Sequence, residues 1–261
     1  AATFGTILGA VLAGGLGLGT LGCGSGPALT DPTILDQRST FADGAPDVTL
    51  HATCASLSVS PVAGSSWGVN VTGPAGARPT LDQAPALLVV RSPDQPIVIP
   101  FETGRRSRWN VTLGTSVSYA LDVDLNAGDA TLDLAGVHAS SLTVQGNALG
   151  TSHLLLHDAT VGSLDVQVNA GDLKIGLPAG SDLVGQVQAN AASIALCADE
   201  GTGIRLRDTS AVSGNNFASA GLVQAGTTWE SPGIGSAVHV VDLAIEGAAA
   251  SFTLNPSEGC R

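Results

Sequence analysis

Leu-Asp-Val-Asp-Leu-Asn-Ala at 121–127 returns as Leu-Thr-Val-Gln-Gly-Asn-Ala at 142–148 and as Leu-Asp-Val-Gln-Val-Asn-Ala at 164–170. It returns again, one residue longer, as Val-Gly-Gln-Val-Gln-Ala-Asn-Ala at 184–191. The Asn residues fall at 126, 147, 169 and 190, so the spacings are 21, 22 and 21. A degenerate fifth copy is Val-Asp-Leu-Ala-Ile-Glu-Gly at 241–247. A dipeptide that recurs at one period near 20 is the mark of stacked supersecondary units.

One unit can be read from its side chains. Leu121, Val123 and Leu125 alternate with Asp122 and Asp124, which gives a strand with one apolar and one wet face. Asn126-Ala127-Gly128-Asp129 reads as a turn, because Asn and Gly accept positive φ. Ala130, Leu132 and Leu134 then alternate on a second strand. A lone unit cannot bury its apolar face, whereas stacked neighbours share a continuous core. Leu121, Leu142, Leu164 and Val241 form one expected core row, and Val123, Val144, Val166 and Val187 another.

The rest of the chain is arranged around this repeat. Alternation begins at Val48 and Leu50 and continues at Leu57 and Val59, with further strand candidates at 86–90, 97–100 and 109–113. The expected fold class is all-β: solenoid-like stacked β-strand repeats with a period near 21 residues, preceded by one N-terminal apolar helix. Residues 47–256 form the strand-repeat domain on this reading, and 257–261 a tail. Residues 24–46, rich in Gly, Pro, Ser, Thr and Asp, read as a linker.

Residues 1–27 carry no charge, and 4–21 are apolar or Gly apart from Thr6 and Thr20. Residues 1–23 are thus a membrane segment, about long enough to span a bilayer, or a lipoprotein signal. On the second reading Thr20-Leu21-Gly22-Cys23 resembles a lipobox and Cys23 is the lipidated residue. A buried soluble helix is the third reading. Gly17, Gly19 and Gly22 fit the letters of a dinucleotide fingerprint, but no strand-to-helix turn surrounds them.

Composition narrows the function classes. The net charge is −12, and the basic cluster Arg105, Arg106 and Arg108 reads as a solvated loop before a strand. No nucleic-acid partner is expected, since that needs a basic face. The four cysteines, Cys23, Cys54, Cys197 and Cys260, contain no Cys-x-x-Cys pair, so a structural zinc site is not expected. With Cys23 set apart, the other three permit at most one disulfide, whose pairing the sequence leaves open.

The repeat predicts an outward face. Asp122, Thr143, Asp165, Gln186 and Asp242 are expected to be equivalent positions, as are Asp124, Gln145, Gln167 and Gln188. As a function this is an interaction face of Asp122, Asp124, Gln145, Asp165, Gln167, Gln186 and Gln188. As plain structure it is a solvated strand surface. No catalytic, cofactor or metal residue is expected. Gly64-Ser65-Ser66-Trp67-Gly68 fits a nucleophile elbow by letters but lacks a following helix. His153 and His157 are read as a strand-edge pair with no third zinc ligand. Asp122, Asp124, Asp133 and Asp165 are the carboxylates that a glycan-active enzyme would use.

Several of these segments carry a family resemblance. They are Arg-Trp-Asn-Val-Thr-Leu at 108–113, Asn-Ala-Gly-Asp-Ala-Thr-Leu-Asp-Leu-Ala-Gly at 126–136 and Asn-Ala-Gly-Asp-Leu-Lys-Ile-Gly-Leu-Pro at 169–178. Gly-Leu-Val-Gln-Ala-Gly-Thr-Thr-Trp-Glu-Ser at 221–231 fits as well. They resemble the toast-rack domain of bacterial adhesin-like β-strand-repeat proteins. The C-terminal domain of LiaF-like cell-wall-active antibiotic response proteins is similar. The resemblance implies a non-enzymatic, membrane-anchored cell-envelope protein, adhesin-like or acting in envelope-stress response. Its domain would lie outside the cytoplasm, with an envelope protein or a glycan as partner. The alternative is a carbohydrate-binding or glycan-active protein working through Asp residues on the strand face. Exposed terminal strands, with few charges after Leu243, would permit self-association.

Overall fold

The computed structural model describes residues 32–42, 44–93, 106–210, 212–257 and 259. The apolar segment 1–23, with Cys23, and the strand candidate 97–100 lie outside the described residues. Everything described is β-strand, turn or short 3-10 helix. Among the described residues, no helix is long and apolar enough to cross a membrane.

The long strands Asp47–Val62, Ser118–Asp133, Leu164–Gly176, Leu183–Cys197 and Val240–Leu254 are the frame. Each pairs in parallel with its neighbours along its length. The shorter His138–Gly146 and Thr151–Leu155 together fill the place between Ser118–Asp133 and Leu164–Gly176. Leu121 faces Leu142, Leu142 faces Leu164, and Leu164 faces Gly185. The segments that share the Asn-Ala dipeptide therefore lie side by side.

The Asn-Ala-Gly segment is a corner, and the turn expected there is not formed. Pairing runs through it, so Ser118–Asp133 stays one strand that changes direction and continues against the same neighbours. The residue with positive φ is Ala127, at 58°, not Asn126. Cys54 at 52°, Gly171 at 117° and Ala249 at 56° bend their own long strands. Two sheet faces follow from the corner. The first contains 47–53 and 118–126, and the second 55–62 and 128–133.

Alternation then decides the core. Leu121, Val123, Leu125, Leu142, Val144, Leu164, Val166 and Val187 are all at most 2% exposed. The degenerate copy is displaced by two residues from its expected register. Leu183 faces Val241, Gly185 faces Leu243 and Val187 faces Ile245. Val241 is buried, but Leu243 is the true neighbour of the Leu164 row. Asp182 accepts from the Val240 backbone N–H where the returning chain enters the stack.

Both ends are closed by antiparallel strands. Thr33–Thr40 pairs with Ser66–Thr72, which pairs with Ser107–Gly114. Thr80–Ala84 pairs with Leu87–Arg91. At the other end Thr228–Glu230 lies between Gly203–Asp208 and Val223–Ala225. Two expectations change. Part of the presumed linker, Thr33–Thr40, is a strand of the domain, because Leu35 is buried and Phe41 packs on Trp67 and Tyr119. The Val240–Leu254 strand is interior, held between Leu183–Cys197 on one side and Gly203–Asp208 with Val212–Asn215 on the other.

Candidate interaction face

The outward side chains of the first sheet face line up in rows across the stack. One row runs Arg91, His51, Asp124, Gln145, Gln167, Gln188, Glu246. Beside it run Thr49, Asp122, Thr143, Asp165 and Gln186, followed by Ala244. Asp242 is not in that row; it faces Val184, two residues from the expected place. All seven side chains read as a face thus share one surface. Strands in a sheet lie ~4.8 Å apart, so each row repeats its functional groups at that interval.

A third row sits at the corner. Asn147 Nδ2 donates to Asn126 Oδ1. Asn169 Nδ2 donates to Asn147 Oδ1 at 2.7 Å, and Asn190 Nδ2 to Asn169 Oδ1 at 2.6 Å. Each inner amide gives one proton and takes one, so the ladder pins the stack along an exposed seam.

Charge is unevenly spread over the rows. His51 Nδ1 lies 3.1 Å from Asp124 Oδ2. Burial lifts the Asp122 carboxyl above the ordinary carboxylate range, the Asp124 charge adds to this, and His51 opposes it. Asp47, Asp82, Arg91, Asp122 and Thr143 line an open groove of about 540 Å³. At the far end Arg205 Nε meets Glu230 Oε1 at 2.6 Å, and Arg207 Nη2 meets Asp242 Oδ1 at 3.0 Å. Those side chains close the C-terminal rungs and leave the middle rows to solvent.

The chemistry open to this arrangement is multidentate hydrogen bonding by amides, hydroxyls and carboxylates. Among the described residues, no group of three His, Cys, Asp or Glu side chains could hold a metal ion. His153 and Lys174 lie opposite one another on the second face, away from these rows. Ser66 begins a strand edge and is followed by strand, not helix. Arg106 departs from its reading as solvated, since its Nη1 donates to Asp129 at the corner.

The sequence missed the N-terminal third of the face: Thr49, His51, Asp82 and Arg91. The alternation of Val48 and Leu50 was the available signal, but these strands lack the Asn-Ala marker. Cys54 and Cys197, two of the three cysteines among which the sequence left a disulfide open, are both disulfide-bonded. Cys54 sits at the corner of the strand Asp47–Val62, and Cys197 is the last residue of the strand Leu183–Cys197.

Comparison with known proteins agrees with this architecture. Residues 80–171 match the family described as the N-terminal domain of toast_rack, DUF2154. A crystal structure from Clostridium sporogenes, called a "putative cell adhesion protein", has a TM-score of 0.51 at 15% identity. That match covers 84% of this chain and 98% of the other. A "putative adhesin" from Bacteroides fragilis matches with a TM-score of 0.34 at 10% identity, covering 84% of this chain and 96% of that one. No curated protein matches the chain. Residues 80–171 are thus similar to the toast-rack N-terminal domain, and the whole domain shares its fold with the Clostridium sporogenes structure.

Proposed function

We propose that the protein is a non-enzymatic, adhesin-like interaction module of the bacterial cell surface, tethered to the membrane by the chain that precedes the domain. The carrying observation is the set of in-register polar rows on the first sheet face. Rigid repeats that expose a regular surface commonly serve as extended binding platforms. The two disulfide-bonded cysteines support an oxidising compartment outside the cytoplasm. The adhesion names of the similar structures fit this reading. A role in envelope-stress response would use the same face on an envelope protein.

The test is binding of the full chain to intact bacterial cells and to isolated envelope fractions. Replacing Gln145, Gln167 and Gln188 together by Lys should abolish binding and leave the melting temperature within a few degrees. Undiminished binding by that variant overturns the assignment to this face.

The groove at Asp122 favours a second reading, as a glycan-binding or glycan-active site. Glycosidases need two carboxyl groups facing each other at ~5–10 Å, and Asp122 is the carboxyl here whose titration is raised. If Asp122→Asn abolishes binding or cleavage of an envelope polysaccharide while the Gln triple variant retains it, the second reading replaces the first.

A further inference from the structure

We infer that the strand Thr33–Thr40 is a self-complementary edge, through which two copies of this chain pair antiparallel about a two-fold axis at Gln37. The inference stands apart from the proposed function. The strands that end the sheets are Thr33–Thr40, Thr80–Ala84, Val212–Asn215 and Val223–Ala225, each paired on one side only among the described residues. The last three have five, four and three residues. Edges that short offer a second chain little to pair with. Thr33–Thr40 has eight residues, no proline and no lysine, and its one irregularity lies at its beginning, between Thr33 and Leu35.

The backbone direction fixes what the open side presents. Phe41 N donates to Ser65 O at 3.0 Å, and the register from Thr40 opposite Ser66 to Asp36 opposite Asn70 runs without a break. In an antiparallel ladder, hydrogen-bonded and non-hydrogen-bonded pairs alternate. Ser39 and Gln37 therefore turn their N–H and C=O groups toward Ser66–Thr72, as Phe41 does. Asp36, Arg38 and Thr40 turn theirs to the open side. An antiparallel copy centred on Gln37 sets Asp36 opposite the second copy's Arg38, and Arg38 opposite its Asp36. Each of these pairs exchanges two N–H···O bonds, while Gln37 meets its own counterpart as a close, non-hydrogen-bonded pair.

Charge selects this register. The Asp36 and Arg38 side chains are 53% and 81% exposed, and their contact within one copy is long, with Nε 3.9 Å from Oδ1. Pairing about Gln37 gives each a directly opposite partner of the other sign, twice over. Opposite charges across a strand pair stabilise it, and like charges destabilise it. Moving the centre by one residue, to Asp36 or to Arg38, would set like charges against each other. The selection matters in a chain of net charge −12, whose copies otherwise repel. Alternation is kept as well, because buried Leu35 falls opposite the half-buried Ser39 of the second copy. The interface is isologous, and its axis stands perpendicular to the sheet. The outer surfaces of the two second faces thus lie on one side, as a single wider sheet.

The test uses the full chain in a neutrally buoyant detergent. Gln37→Cys should form a disulfide between copies under mild air oxidation, mapped by mass spectrometry to residue 37 of both. The Cα atoms of a close antiparallel pair lie ~4.5 Å apart, a separation that a disulfide accepts. Thr40→Cys should not cross-link, since its two counterparts stand ~20 Å apart along the ribbon. In sedimentation, Asp36→Arg and Arg38→Asp should each lose the concentration-dependent dimer of the native chain. An equimolar mixture of the two should regain it as a heterodimer, because the first offers two cations to the second's two anions. That recovery also shows both variants to be folded. A native chain that is monomeric at every concentration, cross-linking of Thr40→Cys as readily as of Gln37→Cys, or a mixture that stays monomeric would each overturn the inference.

Discussion

Tyr119 shows how much a single side chain can report on this fold. It is fully buried, its hydroxyl donates to Gly114 O at 2.7 Å, and burial pushes its pKa up to about 12. The folded value lies above the ordinary one, so this stability is intact below pH 10 and is lost as the pH rises toward 12. Urea melts between pH 9 and 11 should show stability falling with pH. Tyr119→Phe should flatten that fall and cost about 1 kcal/mol at pH 7 through the orphaned carbonyl. An unchanged alkaline slope in the variant would assign the loss to another group. Asp122 behaves in the same sense at lower pH, because its folded carboxyl also prefers the proton. Asp122→Asn should raise the melting temperature at pH 7, and the gain should vanish as the pH falls toward the ordinary carboxylate range. Gly128 is constrained by shape: a Cβ there would collide with the Ala55 carbonyl oxygen across the corner. Gly128→Ala should destabilise by on the order of 3 kcal/mol in chemical denaturation, since the backbone must yield in a packed stack.

Among the elements, the corner explains why some of the fold was legible and some was not. The Leu and Val alternation declared the strands, and the Asn-Ala dipeptide declared which of them are equivalent. The dipeptide could not declare its own conformation, since Asn and Gly suit a reversing turn as well as a bend. The choice is made by the parallel neighbours, whose pairing continues in register on both sides of the bend. Asn126 shows the same limit, because it serves the ladder with its side chain while Ala127 takes the positive φ. Asn147→Ala removes one donor and one acceptor from the middle of that ladder and should cost about 1–2 kcal/mol. Asn147→Asp keeps the shape but loses the donor, so it should be no better than Ala at neutral pH. Recovery of wild-type stability by Asp would show that packing, not the hydrogen bonds, sustains the seam. The end strands were illegible for a different reason. Thr33–Thr40 alternates weakly and sits among Pro and Gly, and only the packing of Phe41 against Trp67 and Tyr119 commits it to the domain.

Across the whole molecule, one continuous apolar core runs from Leu35 to Leu254. Aromatic groups mark its ends: Phe41, Trp67 and Tyr119 at one, Phe217 and Trp229 at the other. Reducing the disulfide bonding of Cys54 and Cys197 should lower the melting temperature measurably, since a disulfide contributes about 2–4 kcal/mol. Insensitivity to reductant would mean that the closed ends suffice alone. The interaction face was legible where the repeat is regular and vanished where the marker dipeptide was absent, although the same parallel pairing carries both parts.

The interior rungs touch only the rung before and the rung after, while the two ends are finished by their own antiparallel strands. Length is therefore a quantity that this architecture can change in whole steps. Excising residues 143–164 would join Leu142 directly to Asp165 and bring two compatible surfaces together. The shortened protein should fold, with its rows of polar groups one member fewer and its reach diminished by ~4.8 Å. Duplicating the same stretch should lengthen it by as much. A surface built this way can be fitted to the span of its partner by counting.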